Sequence, residues 1–480
     1  MAQASVFMAT LWALFQRFGT MFISFSANIV LARLLTPDDF GTIGMLLIFI
    51  AVANTFVDSG LGAALIQRKI LTQLDKSTVF YSNLFLSIIL YLALFAIAPF
   101  VANFYNNPIL SELLRAQGLI LIVQAFCIVQ TALLSKAMDF KRISVGNLIG
   151  NLVGAAVGIA FAYMGFGVWS LVAKTLATTF VTTLILWIVG GWFPSLLFSF
   201  ASLKNLFGFG GFVLLSSLMM TISNNIQTAI LAKMFKADVV GNYTQAKSLR
   251  NVTSESLSTV VGQVLYPDFS RNQNNNEEIK RRLSLSLAVI SYVTTPLMFF
   301  CILNCGDIIH LLYGNQWDKA ISYFQILCIS GIFVSLQDVN INIIKAKGHS
   351  KALFLCNVIK VVFLCTALIA GGLIWGIFGF LWAMCLYSVF AFLFFVLLST
   401  KYIAASFWLQ LKDVFISIGL SAVPFAIAYF TRDFFIESNI VVRICIPSAL
   451  FLLCYVFASF LLQPLAYDYF VTKLKSRLRK

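Results

Sequence analysis

Apolar runs long enough to cross a bilayer, about 20 residues each, follow one another along almost the whole chain, separated by short polar stretches. Fourteen can be marked, approximately at 8–33, 40–66, 78–102, 113–135, 143–163, 168–190, 207–233, 240–266, 284–304, 320–344, 352–374, 376–400, 411–431 and 441–463. The eighth is the least apolar, and hydropathy alone leaves it undecided. A repeat decides it. LARLLTPDDFG (Leu31 to Gly41) lies over LAKMFKADVVG (Leu231 to Gly241) without a gap. Leu31, Ala32, Asp38 and Gly41 match Leu231, Ala232, Asp238 and Gly241, and Lys233 stands for Arg33. Weaker echoes follow in the same order: NFYNNP with LLYGNQW, SKAMDFKR with IKAKGHSK, GFGVW with GIFGF. The eighth run therefore repeats the second, and the chain reads as two related halves.

The expected fold is an all-α polytopic membrane protein of fourteen helices. Residues 1–190 form an N-terminal six-helix lobe, 191–206 a linker, 207–400 a second six-helix lobe, and 401–480 two further helices with a basic tail. The linker, GWFPSLLFSFASLKNLF with its last residue, could lie along the interface as an amphipathic segment. Six spans per half is even, so both halves enter from the same side and their symmetry axis lies along the membrane normal. Asp268 to Arg282 reads as the longest solvated loop.

Composition agrees. The 480 residues are 60% hydrophobic and 11% charged, with a mean hydropathy of +0.93, against roughly 25% charged in soluble domains. The net charge of +15 forms no single patch, so no nucleic-acid partner is expected. Even-numbered loops and the C-terminal tail hold 21 lysines and arginines and odd-numbered loops hold 7, which places both termini in the cytoplasm by the positive-inside bias. The nine cysteines include no C-x-x-C spacing and mostly fall within apolar runs, so they read as packing residues, with no disulfide, metal or cofactor implied. No basic region precedes the first apolar run and Arg17 interrupts it, so no cleaved signal peptide is expected.

Five basic residues remain, in or near the spans: Arg17, Lys174, Lys247, Arg250 and Lys360. Each costs about 2.5–3.5 kcal/mol at a helix centre on insertion scales, which favours a place facing protein or a wet cavity. Snorkelling to the interface is the competing account, above all for Lys174 and Lys360. In span 1, Thr10, Ala13, Arg17, Thr20, Ser24 and Asn28 recur every three or four residues as one small and polar stripe. Ser217, Thr221, Asn224 and Thr228 make a similar stripe in span 7, although such residues also serve ordinary helix packing in membranes. Span 8 sets Lys247, Arg250, Asn251, Ser254 and Ser258 on one face, with Glu255 able to pair with either base, and span 2 carries Asn54 and Asp58 at the equivalents of Ser254 and Ser258. Asn147 and Asn151 in span 5, and Asp338, Asn340 and Asn342 in span 10, extend the polar interior. Base outnumbers acid there, which favours an anionic substrate. Asp58 and Asp338 are the acids best placed to sense a coupling ion.

An enzyme is not expected. His310 and His349 fall at opposite sides, and no external loop is long enough for a reactive constellation. Asp38 and Asp39 superficially suit a glycosyltransferase, but Pro37-Asp38-Asp39 reads better as a helix start.

At LARLLTPDDFG with FVDSGLGAALIQRK (Phe56 to Lys69), and on through NFYNNP, KAMDFKR and YGNQWDKA, the chain resembles the Wzx-type polysaccharide flippases. These belong to the multidrug/oligosaccharidyl-lipid/polysaccharide exporter superfamily, and the likeness is to the branch containing the colanic acid exporter. The resemblance implies two lobes around a central cavity in the bacterial inner membrane. It implies export of an undecaprenyl-pyrophosphate-linked oligosaccharide from the cytoplasmic to the periplasmic leaflet, with membrane lipids, a polysaccharide polymerase and a chain-length regulator as partners. Basic cavity residues in such proteins are thought to hold the anionic pyrophosphate or acidic sugars, matching Arg17 and Arg250. The alternatives are a cation-coupled drug exporter of the same superfamily, which should carry an acidic cavity, and a membrane-embedded polymerase or acyltransferase.

Overall fold

The computed structural model describes residues 2–58, 60–271, 275–348, 350–435 and 439–478. Their regular structure is helical, in sixteen α-helices: α1 Ala2–Leu34, α2 Pro37–Asp58, α3 Leu61–Gln67, α4 Gln73–Tyr105, α5 Ile109–Lys136, α6 Phe140–Tyr163, α7 Trp169–Gly190, α8 Phe200–Met234, α9 Ala237–Arg271, α10 Asn276–Leu303, α11 Cys305–Leu312, α12 Asp318–Ala346, α13 Ser350–Ile403, α14 Phe407–Arg432, α15 Ile440–Leu462 and α16 Leu465–Leu478. Among the described residues, ten stretches are long and apolar enough to cross a membrane, or eleven counting α8, which bends by 58° between Gly208 and Val213. Each apolar run marked in the sequence falls on a helix. The second is broken at Gly60, which takes a left-handed conformation, into α2 and α3. The eleventh and twelfth meet within α13 at Trp375 and Gly376, where φ and ψ leave the helical region.

Local chemistry sets the helix ends. Thr36 donates from its backbone and hydroxyl to Asp39 Oδ2 at 2.9 and 2.8 Å, and Pro37 opens α2. That is a capping arrangement with an acid in the first turn, as the sequence predicts, so Asp39 already serves helix structure. A full capping box joins Thr72 and Asp75 at the start of α4. The stretch from Asp268 to Arg282 corrects the expectation of a long loop. α9 runs to Arg271 and α10 begins at Asn276, capped by the Asn275 side chain. Its charges pair along α10 instead: Lys280 with Glu277 at 2.7 Å, Arg281 with Glu278 at 3.1 Å and Arg282 with Glu278 at 2.7 Å. Polarity marked the segment as solvated, but pairs at i,i+3 and i,i+4 are also what an exposed helix uses.

Two compact units divide the chain, Met1–Gly241 and Asn242–Lys480. The repeat sets the halves apart at residue 207, whereas α8 packs on α2, α3 and α4 and clusters with the first unit. In that unit the repeat is a physical contact. A Cβ on Gly41 would run into the carbonyl of Ala237, and one on Gly241 into the carbonyl of Pro37. Each pair is the other displaced by 200 residues, so the matched glycines are the point where the two helix starts cross.

The closest packing of the first unit joins α6 and α7. Gly146, Gly150, Gly154 and Gly158 repeat every fourth residue along α6 and admit Leu186, Thr182, Thr178 and Lys174 of α7 in turn. Without a hydrophobic drive between helices in lipid, such close approach supplies the dispersion contacts that hold them. The linker is an extended strap from Gly191 to Ser199, and residues 200–206 already belong to α8. Gln130 donates to the Trp192 carbonyl at 2.8 Å, the Trp192 indole donates to Gln73 at 2.8 Å, and Ser77 and Thr78 accept from the backbone of Ser195 and Ser199. At its end, Ser202 donates to the buried Asp75 carboxylate, which also pairs with Arg68 at 2.9 Å.

In the second unit α14 packs along α10 and α15 packs on α14. Asp307, 1% exposed, anchors both additions: Arg432 of α14 reaches it at 2.6 Å and Arg443 of α15 pairs with its other oxygen. Arg432 also donates to the Leu303 carbonyl at 2.6 Å.

Candidate functional site

The polar stripe of α1 meets α6. Gln16, Thr20, Met21 and Ser24 line one wall of a crevice of about 400 Å³, and Asn147 and Asn151 line the other. Ser24 donates to Asn151 Oδ1 at 3.1 Å, and Asn151 donates through its amide to the Asn147 carbonyl at 2.8 Å. Thr20 closes on the Gln16 carbonyl at 2.8 Å. Arg17 follows Gln16 directly, is exposed, and lies two turns before Ser24 on the same face. Asn28 continues that face, half-buried. Ser24 is thus brought into a site with the two asparagines of span 5. Gln16 is the lining residue that sequence reading passed over, because it sits about 100° round the helix from Arg17. Thr10, as a side chain, lies outside the described residues.

Other candidates of the first unit stand apart from this crevice. Asn54 on α2 keeps a buried amide oxygen with no partner among the described residues. One residue on, Thr55 meets Thr221 of α8 at 2.9 Å, so part of the span 7 stripe does pack helix on helix. Asn224 lies exposed on α8. Asp58 ends α2, exposed, and makes no hydrogen bond or ion pair among the described residues. The stem of Lys174 lies against Gly158, and its ammonium likewise has no such partner.

In the second unit Arg250 is 6% exposed and turned into the packed interior. Its side chain passes Gly331, whose missing Cβ leaves the room, and Nη1 reaches Ser330 Oγ at 3.5 Å. Ser335 donates to the Ser254 carbonyl at 3.3 Å beside it. Lys247 stays half-buried over the Tyr243 ring at 5.8 Å, and Asn251 keeps a buried oxygen with no partner among the described residues. The side chains of Glu255 and Ser258 lie outside the described residues, as does His349. His310 meets Asp318 at 2.6 Å. Lys360 lies within range of the Asp338 charge. It is 9% exposed and sits 4.8 Å over the Phe395 ring and 3.5 Å from Gln337 Oε1. Snorkelling is therefore the poorer account of Lys360.

That interaction carries a prediction. Asp338→Asn removes a charge that acts on the buried Lys360 ammonium, a Coulomb attraction of about 2 kcal/mol at a typical effective dielectric. The single variant should lose membrane abundance, and adding Lys360→Gln should restore most of it. The comparison is fluorescence-detected size exclusion of both proteins. A double variant no better than the single one would deny the coupling.

A multi-pass helical membrane protein with a polar crevice between two of its helices is what these observations define. The chain belongs to the polysaccharide biosynthesis protein family, whose profile matches residues 30–322. It is 26% identical over 356 residues to the lipopolysaccharide biosynthesis protein WzxC of Escherichia coli (strain K12), covering 73% of this chain and 72% of that protein. It is 25% identical over 351 residues to the succinoglycan biosynthesis transport protein ExoT of Rhizobium meliloti (strain 1021), covering 73% and 71%. Among solved structures it is similar to the lipid II flippase MurJ in an inward closed conformation, with a TM-score of 0.76, 14% identity, and 95% and 98% of the two chains covered. The last likeness speaks for the fold.

Proposed function

We propose that this protein exports a lipid-pyrophosphate-linked oligosaccharide, moving it from the cytoplasmic to the periplasmic leaflet of the bacterial inner membrane for cell-surface polysaccharide assembly. The observation that carries this is the α1–α6 crevice: amides and hydroxyls beside Arg17, on membrane helices, in a chain of a polysaccharide biosynthesis family. Hydrogen-bonding groups at such a depth are costly unless they meet water or a polar ligand. The transport function named for ExoT and the lipid-linked cargo named for MurJ support the same reading. Arg17 would hold phosphate oxygens, and the polar interior would be exposed to the two faces in turn. Polymerase and chain-length regulator would act on the delivered product. Deleting the gene should leave the lipid-linked intermediate on the cytoplasmic leaflet, read by lipid extraction and by protection from external glycosidase. Unchanged surface glycan and no accumulated intermediate would overturn the reading.

The finer topology is fourteen spans with both termini inside. The ten qualifying stretches reach that number when α13 is divided at Gly376 and α1, α8 and α9 are added. The charge asymmetry supports the orientation. On a background without native cysteines, Asn106→Cys should be labelled from the periplasm and Asn274→Cys only after permeabilisation. The reverse pattern would sink the orientation.

A further inference from the structure

We infer that the α1–α6 crevice is a subsite for an uncharged sugar ring, separate from the anion site at Arg17; this rests on the lipid-linked oligosaccharide reading and names which part of that cargo the crevice takes. Its lining carries two asparagines, a glutamine, a threonine and a serine with one methionine, and no ionisable side chain. Neutral hydroxyls, which both donate and accept, are the groups such a wall matches. A pyrophosphate placed there would meet amide dipoles with no compensating charge.

Several lining groups are already committed. Asn151 is engaged with Ser24 and with the Asn147 backbone, and the Thr20 hydroxyl with the Gln16 carbonyl. Two amides are left over. The Asn147 side chain makes no hydrogen bond among the described residues. Among the described residues the Gln16 amide has one hydrogen bond, accepting at 3.3 Å from Ser144, whose hydroxyl is held more closely by the Phe140 carbonyl at 2.6 Å. These two sit on opposite walls, so a ring between them can be bonded from both sides. Met21 supplies an apolar surface for a C–H face of the same ring. The volume, about 400 Å³, has room for a sugar. Arg17, next to Gln16 in the chain, puts the anion site beside the crevice, as a sugar and its phosphate are joined.

The test measures binding of short-chain polyprenyl pyrophosphate to the purified full-length protein. The bare carrier is compared with the same carrier bearing one glucose, galactose or N-acetylglucosamine. Wild type should bind at least one glycosylated carrier about tenfold more tightly than the bare one, the effect of two ordinary hydrogen bonds. Gln16→Leu with Asn147→Leu should erase that difference and leave the affinity for the bare carrier unchanged. Arg17→Ala should weaken all the carriers by the same factor. Equal binding of bare and glycosylated carriers by wild type would overturn the subsite and leave the crevice to water. Equal loss of every carrier in the double variant would also overturn it, making the amides structural. Binding of no carrier by wild type would overturn the export reading itself.

Discussion

Arg17→Ala should abolish export while the protein reaches the membrane at normal levels, and Arg17→Lys should keep part of the activity. Arg17 is exposed on the crevice face of α1, and the matching position of the other half, Ser217, carries no charge. The shared architecture therefore does not require a base there. A charge-assisted hydrogen bond is worth about 1.5–3 kcal/mol, so losing two from guanidinium to phosphate oxygens would slow export by a factor on the order of 10² to 10⁴. Lysine preserves the charge but loses the planar fork that meets two oxygens at once. The measurement is surface glycan per unit of membrane-localised protein. Normal export by Arg17→Ala would remove the residue from the mechanism and make lipid snorkelling the better account.

The second large effect falls on stability. Asp307→Asn should destabilise the second unit by about 3–5 kcal/mol, because Arg432 and Arg443 share one buried carboxylate and the change takes the acid from both. Arg443→Gln should cost less, since Arg432 keeps both the acid and the Leu303 carbonyl. Thermal unfolding in detergent should rank wild type above Arg443→Gln and Arg443→Gln above Asp307→Asn. Equal midpoints for all three would mean that this cluster does not hold α14 and α15 in place.

The positions of the helices were legible in the sequence because length and continuity of apolar residues report directly on bilayer thickness. The turn at Thr36–Asp39 was legible for another reason: Pro and Asp at a helix start have a local mechanism that needs no tertiary context. The break at Gly376 was marked by the boundary between two runs. What the sequence did not reveal is which way the helices face. A helix apolar all round carries no stripe that separates lobe interior from lipid. So Arg250 reads as a face residue of span 8 and proves to be tucked behind Gly331, and Lys360 proves to be buried over the Phe395 ring. Gln16 was hidden in the same way. The glycine run of α6 was open to reading, since a four-residue spacing of small residues marks close helix approach.

The most direct test of the central claim is transport in a defined membrane. Purified protein is placed in liposomes with a polyprenyl-pyrophosphate-linked oligosaccharide, labelled on the glycan, in the inner leaflet. Appearance of the label to an external quencher is then followed. Wild type should move the label outward well above empty vesicles, and Arg17→Ala should match the empty vesicles. Label that stays inside with wild type, or moves equally fast with Arg17→Ala, would contradict the account.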